Sequence, residues 1–539
     1  MEHAGCRMFS EEVVFDRCFG VLLDASGFLC QEFETVSKPS IWELILLSLQ
    51  CLVAGVQPKD LGTLLLSQSS PTMTSSPIRN LLNLLTDSVN KLETACNASG
   101  CLIPDLHAPF TPASEAFRAN PIAAEAASII CAAALQMEAI LTPPNVSLYH
   151  VVAGHWKSAA LRVCLESNVT EILREAGPGG LHVNDIACKN KQDPRKLGRF
   201  IRYLATHHIY REVEPDVFAN TRISSMMDTL KPSKEIIDHP ETKHENTPGL
   251  AALASHHLDE AFKASAVVWE TLTDPATAFS GDPKAAPVSR AFNIQGSFWE
   301  LLGRDRPRAR RFNIGMQGVQ ALEPVDAILE AYDWKELPGG SVVVDVGGGV
   351  GTASLVLARE FPDLEIVVQD LPGVIEDAKK LWATTMPNRK VTLEVQDFFN
   401  PQPAKRDVSV FLLKQVTHDW SDEYCVKFLT QLRAAAQQNT KLIIVDSIVP
   451  FACRDPSGDD NRGIPGAVPR EAPAPLLANY GAVNEMSYNA DIAMFLFFNS
   501  QERNIRHIDE LLLKAGWSLR MVRRQKGGTY LHSIEATPI

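Results

Sequence analysis

The run Val342-Val343-Val344-Asp345-Val346-Gly347-Gly348-Gly349-Val350-Gly351 narrows the choice of fold more than any other feature. A β-branched strand passes straight into a glycine loop, and the pattern after the loop is helical. Glycine lets the backbone turn sharply and lets a ligand approach the main chain closely. Four more short apolar runs follow, Ile366–Gln369, Val391–Val395, Val408–Leu413 and Leu442–Val445, most of them separated by helical segments. Such alternation predicts a parallel sheet wrapped by helices. Asn504–Ala515 reads as an amphipathic helix through Ile505, Ile508, Leu511 and Leu512, ended by Gly516. Ser518–Gln525 and Thr529–Glu535 read as a hairpin about Gly527-Gly528, which brings the strands to seven. The expected class is α/β: a Rossmann-like seven-stranded domain closing on an antiparallel hairpin. A Pro/Gly/Asp-rich loop, Ala452–Asn479, interrupts it.

A chain of 539 residues exceeds one core, so more domains precede this one. Residues 331–539 are assigned to the catalytic domain, 78–330 to a helical and winged-helix domain, and 1–77 to an extension of uncertain structure. Within the extension, Ile41–Val56 reads as a buried helix and Ser67–Pro77 as a linker. Ala123–Leu141 is Ala-rich and nearly uncharged, so it must be buried within one chain or between two. Asp193 is a good N-cap with Pro194 at the first helical position. Leu197, Phe200, Ile201 and Leu204 then share one face, and β-like pieces follow at Tyr210–Val213 and Val217–Ala219. Arg195, Lys196, Arg199 and Arg202 on that helix would suit DNA. The net charge of −13, with a pI near 5.6, argues instead for a solvated face and disfavours nucleic acid or a membrane surface as the main partner. Eleven scattered cysteines without a C-x-x-C pair read as reduced thiols in a cytoplasmic protein. No structural-zinc spacing occurs, and no metal is expected.

The glycine loop alone does not identify a cofactor, because nicotinamide and flavin domains share it. Two details tilt the balance. Thr352 occupies the last site of the dinucleotide pattern, and Asp345 ends the strand two residues before Gly347. A carboxylate there would oppose a pyrophosphate but suit the ammonium and sulfonium of S-adenosylmethionine. Asp370, about 25 residues further on at the end of the second strand, is placed to grip ribose hydroxyls. Asp397 and Phe398 end the third strand, an acid for the exocyclic amine of adenine and a ring to cover it. His418 follows the fourth strand, where an imidazole titrating near neutrality can act as a general base. Asp446, ending the fifth strand, or Glu502 could orient it.

These pieces, Asp345–Gly351, Gln369-Asp-Leu-Pro372, Asp397-Phe-Phe399, Lys414 with His418-Asp-Trp420, Ile444-Val-Asp446 and Gln501-Glu-Arg503, resemble the plant and fungal small-molecule O-methyltransferases in order and spacing. The resemblance covers roughly residues 78–539, and Pro109–Phe117 is similar to basidiomycete members. It implies cofactor contacts from Asp345, Gly347, Gly348, Gly349, Asp370, Leu371, Asp397, Phe398 and Lys414. It implies that His418 deprotonates the acceptor between Asp446 and Glu502, and that Phe312, Met316, Asp491 and Met494 line the acceptor pocket. Plant members usually carry Glu at the position of Asp446, which leaves that role more open. The resemblance also implies a phenolic acceptor and a homodimer with interlocked helical parts. Two other classes compete: a winged-helix regulator that senses a ligand, and a nicotinamide-dependent oxidoreductase. Nitrogen or carbon methylation would need less of a base than oxygen.

Overall fold

The computed structural model describes residues 76–539 apart from 321–322, 324–325, 404–405, 456–462 and 525–529. The expected helix at Ile41–Val56, and Ser67–Pro77 up to residue 75, lie outside the described residues.

Two long helices lead. Helix α1 (Pro77–Ser99) packs Leu92, Ala95 and Cys96 on Ala123, Ala126 and Ala127 of α2 (Pro121–Leu141). Asn120 caps α2 by accepting from the amides of Ile122 and Ala123, and Pro121 opens it without wasting a donor. Further along, Ile129, Ala132 and Ala133 meet Ala472 and Leu476 of the long loop. Two polar groups fix that contact: Glu125 pairs with Arg470 at 2.5 Å, and Gln136 donates to the carbonyl of Pro475 at 3.0 Å. One face of α2 is therefore buried, while Leu135 and Leu141 on the remainder are 47% and 65% exposed. It is long and apolar enough to cross a membrane, yet its buried face is matched to protein.

The winged-helix unit follows. Strand β1 (Leu181–His182), helix α3 (Val183–Asn190), helix α4 (Pro194–Ala205), β2 (Tyr210–Glu214) and β3 (Val217–Asn220) form it, with sheet order β1-β3-β2, all antiparallel. Asp193 caps α4 through the amides of Arg195 and Lys196. Leu197, Ile201 and Leu204 are buried, but Phe200 stands 37% exposed. The buried stripe is thus narrower than the periodicity predicts. Arg202 is engaged within the unit, forked onto Glu212 at 2.7 and 3.0 Å and onto Asp216 at 2.7 Å.

Between the wing and the sheet, α5 (Arg306–Gln320) lies against a helix at Leu250–His256. Gly315 and Gly318 allow the approach: a Cβ on Gly318 would sit 2.6 Å from the carbonyl carbon of Gly249.

The C-terminal domain is a seven-stranded sheet. Its elements are β4 (Val342–Val346), α6 (Thr352–Glu360), β5 (Glu365–Asp370), α7 (Pro372–Thr385), β6 (Thr392–Val395), β7 (Val408–Lys414), α8 (Asp422–Ala435), β8 (Lys441–Ser447), α9 (Met486–Phe498), α10 (Ile505–Lys514), β9 (Trp517–Arg524) and β10 (Leu531–Pro538). The order is β6-β5-β4-β7-β8-β10-β9, parallel up to β8, with β10 antiparallel between β8 and β9. The strands read as continuous apolar runs because both faces are covered. Val344, Phe411, Leu413 and Ile444 face α8 and α10, while Val343, Val410, Leu412 and Ile443 face α6 and α7. Truncating a fully buried leucine such as Leu412 to alanine would cost about 2–5 kcal/mol. The order reverses at β4, so the crevice at the carboxyl ends of β4 and its neighbours is where such a sheet binds ligands.

Candidate active site

The glycine loop after β4 turns through Gly347 and Gly349 at φ of +65° and +61°, conformations that L side chains rarely adopt. A Cβ on Gly348 would lie 2.5 Å from the carboxyl carbon of Asp345. Asp345 is 1% exposed, and its Oδ2 accepts from the Ser354 hydroxyl at 2.6 Å. Its carboxylate therefore touches Ser354 and the underside of the loop, with burial pushing its pKa up to about 6. Asp370, at the end of β5, accepts from the amides of Gly349 at 2.9 Å and Leu371 at 2.7 Å. Burial raises its pKa, against the pull of those two amides. Leu371 is 55% exposed beside it.

Asp397 follows β6 and accepts from the Phe399 amide at 3.0 Å. The Phe398 ring packs edge-on against Phe399, with centroids 4.9 Å apart, and would stand 3.4 Å from a Cβ on Gly347. Lys414 ends β7, donating to Gln415 at 2.9 Å with the Glu323 carboxylate 3.1 Å away. The rim thus offers two carboxylates for hydroxyls or amines and one ammonium for a carboxylate. That donor set fits an adenosyl amino acid better than a pyrophosphate, which the acids would repel.

His418 sits on a short turn, Thr417–Asp419, directly after β7 and Val416. Its Nδ1 lies 2.8 Å from Oε1 of Glu502, so that when the ring is neutral its proton is held on Nδ1 and the lone pair falls on Nε2. Nε2 has Asp419 at 3.6 Å, beyond hydrogen-bond reach. Burial would lower the imidazole pKa, but Glu502, Asp419 and Asp446 outweigh it and hold it at about 10. Burial likewise lifts Asp419 to about 6 and raises Asp446. Asp446 reaches Thr417, whose hydroxyl donates to its Oδ2, and makes no hydrogen bond to the imidazole. Of the two flanking carboxylates, then, Glu502 is the one in contact.

The turn is clamped from behind. Arg503, 3% exposed, donates to the carbonyls of Thr417 at 2.8 Å and Trp420 at 2.7 Å and to Asp422 at 3.0 Å. His507 meets the other oxygen of Asp422 at 2.6 Å. Against the pull of burial, His507 and Arg503 hold Asp422 down at about 2. Asp491 of α9 accepts from the amide of Glu502 at 2.9 Å, so it steadies the orienting carboxylate.

Phe312 and Met316 of α5 join Met494 of α9 in one aromatic cluster with Phe298, Phe497 and Phe498. Buried charge anchors α5 there. A π-turn at His257–Ala261 drives Asp259 and Glu260 inward, where Arg308 and Arg311 pair with both. His256 hydrogen-bonds Glu260 at 2.8 Å and stacks on Phe497 at 4.7 Å. Sequence reasoning missed Asp419, the Arg503 clamp and this anchor. Asp419 adjoins His418 and was open to notice, whereas the anchor joins residues about 50 positions apart.

Comparison with known proteins agrees with this fold. An O-methyltransferase dimerisation domain matches residues 149–229 and an O-methyltransferase domain matches residues 269–461. The chain is 52% identical to 4-O-methyltransferase 1 of Phanerochaete chrysosporium over 469 residues, 86% of this chain and 99% of that one. It is 40% identical to an O-methyltransferase of Armillaria gallica over 455 residues, 83% and 95% of the two chains. Among solved structures, a mitomycin 7-O-methyltransferase shares the fold at 23% identity and TM-score 0.54, covering 73% of this chain and 98% of that one. LepI in complex with SAM does so at 17% identity and TM-score 0.57, covering 77% and 94%.

Proposed function

This chain belongs to the S-adenosylmethionine-dependent O-methyltransferases of small molecules, and on that footing we propose that it methylates a phenolic hydroxyl with His418 as general base. The observation that carries the base assignment is the 2.8 Å contact between Nδ1 of His418 and Glu502, which leaves Nε2 unbonded at the end of β7. S-adenosylmethionine supplies, when bound, a methyl on a sulfonium: the acceptor oxygen forms the new bond to carbon while sulfur keeps the pair of the bond that breaks. Nε2 takes the hydroxyl proton. Glu502 holds the ring in place and balances the imidazolium that results. The surrounding carboxylates raise the affinity of the imidazole for a proton, which favours taking one from a phenol that ionises near pH ~10. The aromatic cluster about Phe312, Met316 and Met494 supports a flat apolar acceptor. The name of the 52% identical relative supports a 4-hydroxyl as the site.

We assign the same chain to a homodimer, supported by the dimerisation-domain match and by the apolar faces left on α2 and on the segment after it.

The test is methyl transfer to a panel of phenols that includes 3- and 4-hydroxyl isomers. His418→Ala should bind S-adenosylhomocysteine normally and lose about 10²–10⁴-fold in turnover. Near-normal turnover in that variant would remove the base assignment.

A further inference from the structure

At the carboxyl end of β7 a buried ion pair keeps one acceptor and one donor that no contact among the described residues uses. Glu323 follows α5 in the chain, and its side chain is only 8% exposed. Its Oε2 lies 3.1 Å from Nζ of Lys414, while its Oε1 is buried and has no hydrogen-bond partner among the described residues. An unbonded oxygen on a buried carboxylate is costly, and such groups nearly always have a partner. Of its three ammonium hydrogens, Lys414 gives one to Oε1 of Gln415 at 2.9 Å and one to Glu323, so one is left. Gln415 is fixed in turn, its amide on the carbonyl of Val445 at 2.9 Å and its Nε2 on the Tyr530 hydroxyl at 3.3 Å. The pair stands on the cofactor side of the sheet. Alternation along the strands puts Lys414 on one face with Val410 and Leu412, Asp345 with Val343, and Asp370 with Ile366 and Val368, and all those apolar neighbours belong to the same core. Burial raises the Asp345 pKa, and Ser354 and then Lys414 pull against it, so the ammonium is within electrostatic reach of the glycine-loop carboxylate.

We propose that Glu323 is a cofactor-binding residue: with Lys414 it holds the amino-acid end of S-adenosylmethionine, Oε1 of Glu323 accepting from the α-ammonium and Nζ of Lys414 donating to the carboxylate. The donors and acceptors match. A zwitterion brings one group of each sign, and the protein presents one of each, already paired at 3.1 Å. A ligand that ends in a carboxylate or phosphate alone would meet Glu323 as a like charge and leave its buried oxygen unbonded. Glu323 also lies just beyond the helix that carries Phe312 and Met316, so its grip on the cofactor steadies the end of an acceptor-lining element.

The role of Glu323 rests on S-adenosylmethionine being the cofactor, not on His418 being the base, and it is read by binding rather than turnover. Calorimetry on the full chain would compare S-adenosylhomocysteine with its analogue that has hydrogen in place of the α-amino group. Glu323→Gln keeps the size of the side chain and removes its charge. That variant should bind S-adenosylhomocysteine about 10–100-fold more weakly than the unaltered protein, and the deaminated analogue within about threefold of it. A merely structural Glu323 would weaken both ligands alike. That result, or unchanged binding of S-adenosylhomocysteine, overturns the proposal. If Glu323→Gln does not fold by circular dichroism, a crystal structure of the unaltered protein with S-adenosylhomocysteine decides. An α-ammonium within hydrogen-bond distance of Oε1 of Glu323 supports the assignment, and one held only by other groups overturns it. No binding of S-adenosylhomocysteine by the unaltered protein would overturn the cofactor assignment and this one together, whereas binding without the difference between the two ligands overturns this one alone.

Discussion

At His418 two electrostatic effects oppose each other, and three carboxylates prevail over burial. The imidazole therefore keeps its proton to higher pH than an ordinary histidine, and Nε2 becomes an acceptor as that proton leaves. Turnover measured as kcat/KM should rise along an alkaline limb. Glu502→Gln removes the nearest negative charge, so the limb should shift to lower pH while the plateau drops about 10–100-fold. The acceptor's own ionisation does not depend on residue 502, so an unshifted limb would show that the phenol, and not His418, sets it. Stability follows the same group. A folded pKa near 10 against an ordinary 6.5 stabilises the fold fully below about 6.5, and the gain is lost as pH rises toward 10. The difference in melting temperature between His418→Ala and the unmodified protein should therefore shrink from pH 6 to pH 10. Asp422 runs the opposite way. Held at about 2 against 3.8, it stabilises above 3.8 and loses that contribution as pH falls toward 2. With Asp422 partly exposed, Asp422→Asn should cost only about 1 kcal/mol at neutral pH and flatten the acid limb of unfolding.

Among the elements, the loop between β4 and α6 is the least tolerant. Gly348→Ala sets a methyl against the Asp345 carboxyl at 2.5 Å, and relief requires that buried carboxyl to turn off Ser354 or the loop to shift. Overpacking of that kind costs about 1–3 kcal/mol, which should appear as roughly 5- to 150-fold weaker S-adenosylhomocysteine binding by calorimetry. Binding unchanged would mean the loop shifts freely. The strands of this sheet were readable in advance because β-branched runs such as Val342–Val346 have few alternatives, and Asp193-Pro194 marked the start of α4 unaided. Neighbours in space but not in sequence were hidden. Nothing local says that Glu502, 84 residues on, touches His418 while Asp446 turns to Thr417. Nor does Asp345 reveal that Ser354 will claim it from below. The inward turn of Asp259 and Glu260 needs a π-turn, and an ordinary helical repeat hides it.

At the scale of the whole molecule, one group of exposed apolar residues is close together in the chain. Leu148, Val151, Val152 and Trp156 are 65%, 78%, 61% and 50% exposed, next to the open face of α2. Fully covering each such side chain contributes about 1.5–3 kcal/mol, so a partner subunit there gains enough to hold. Leu148→Asp with Val151→Asp should yield half the mass in sedimentation equilibrium, and an unchanged mass would place the interface elsewhere. A different consequence comes from β10, which is inserted between β8 and β9 although it follows both in sequence. During synthesis β8 and β9 emerge with facing edges that nothing yet joins, and each offers its row of unpaired amides to any neighbouring chain. The sheet can close only after translation has passed Leu531. A chain truncated before Leu531 would keep both edges open and should aggregate where the intact one stays dispersed.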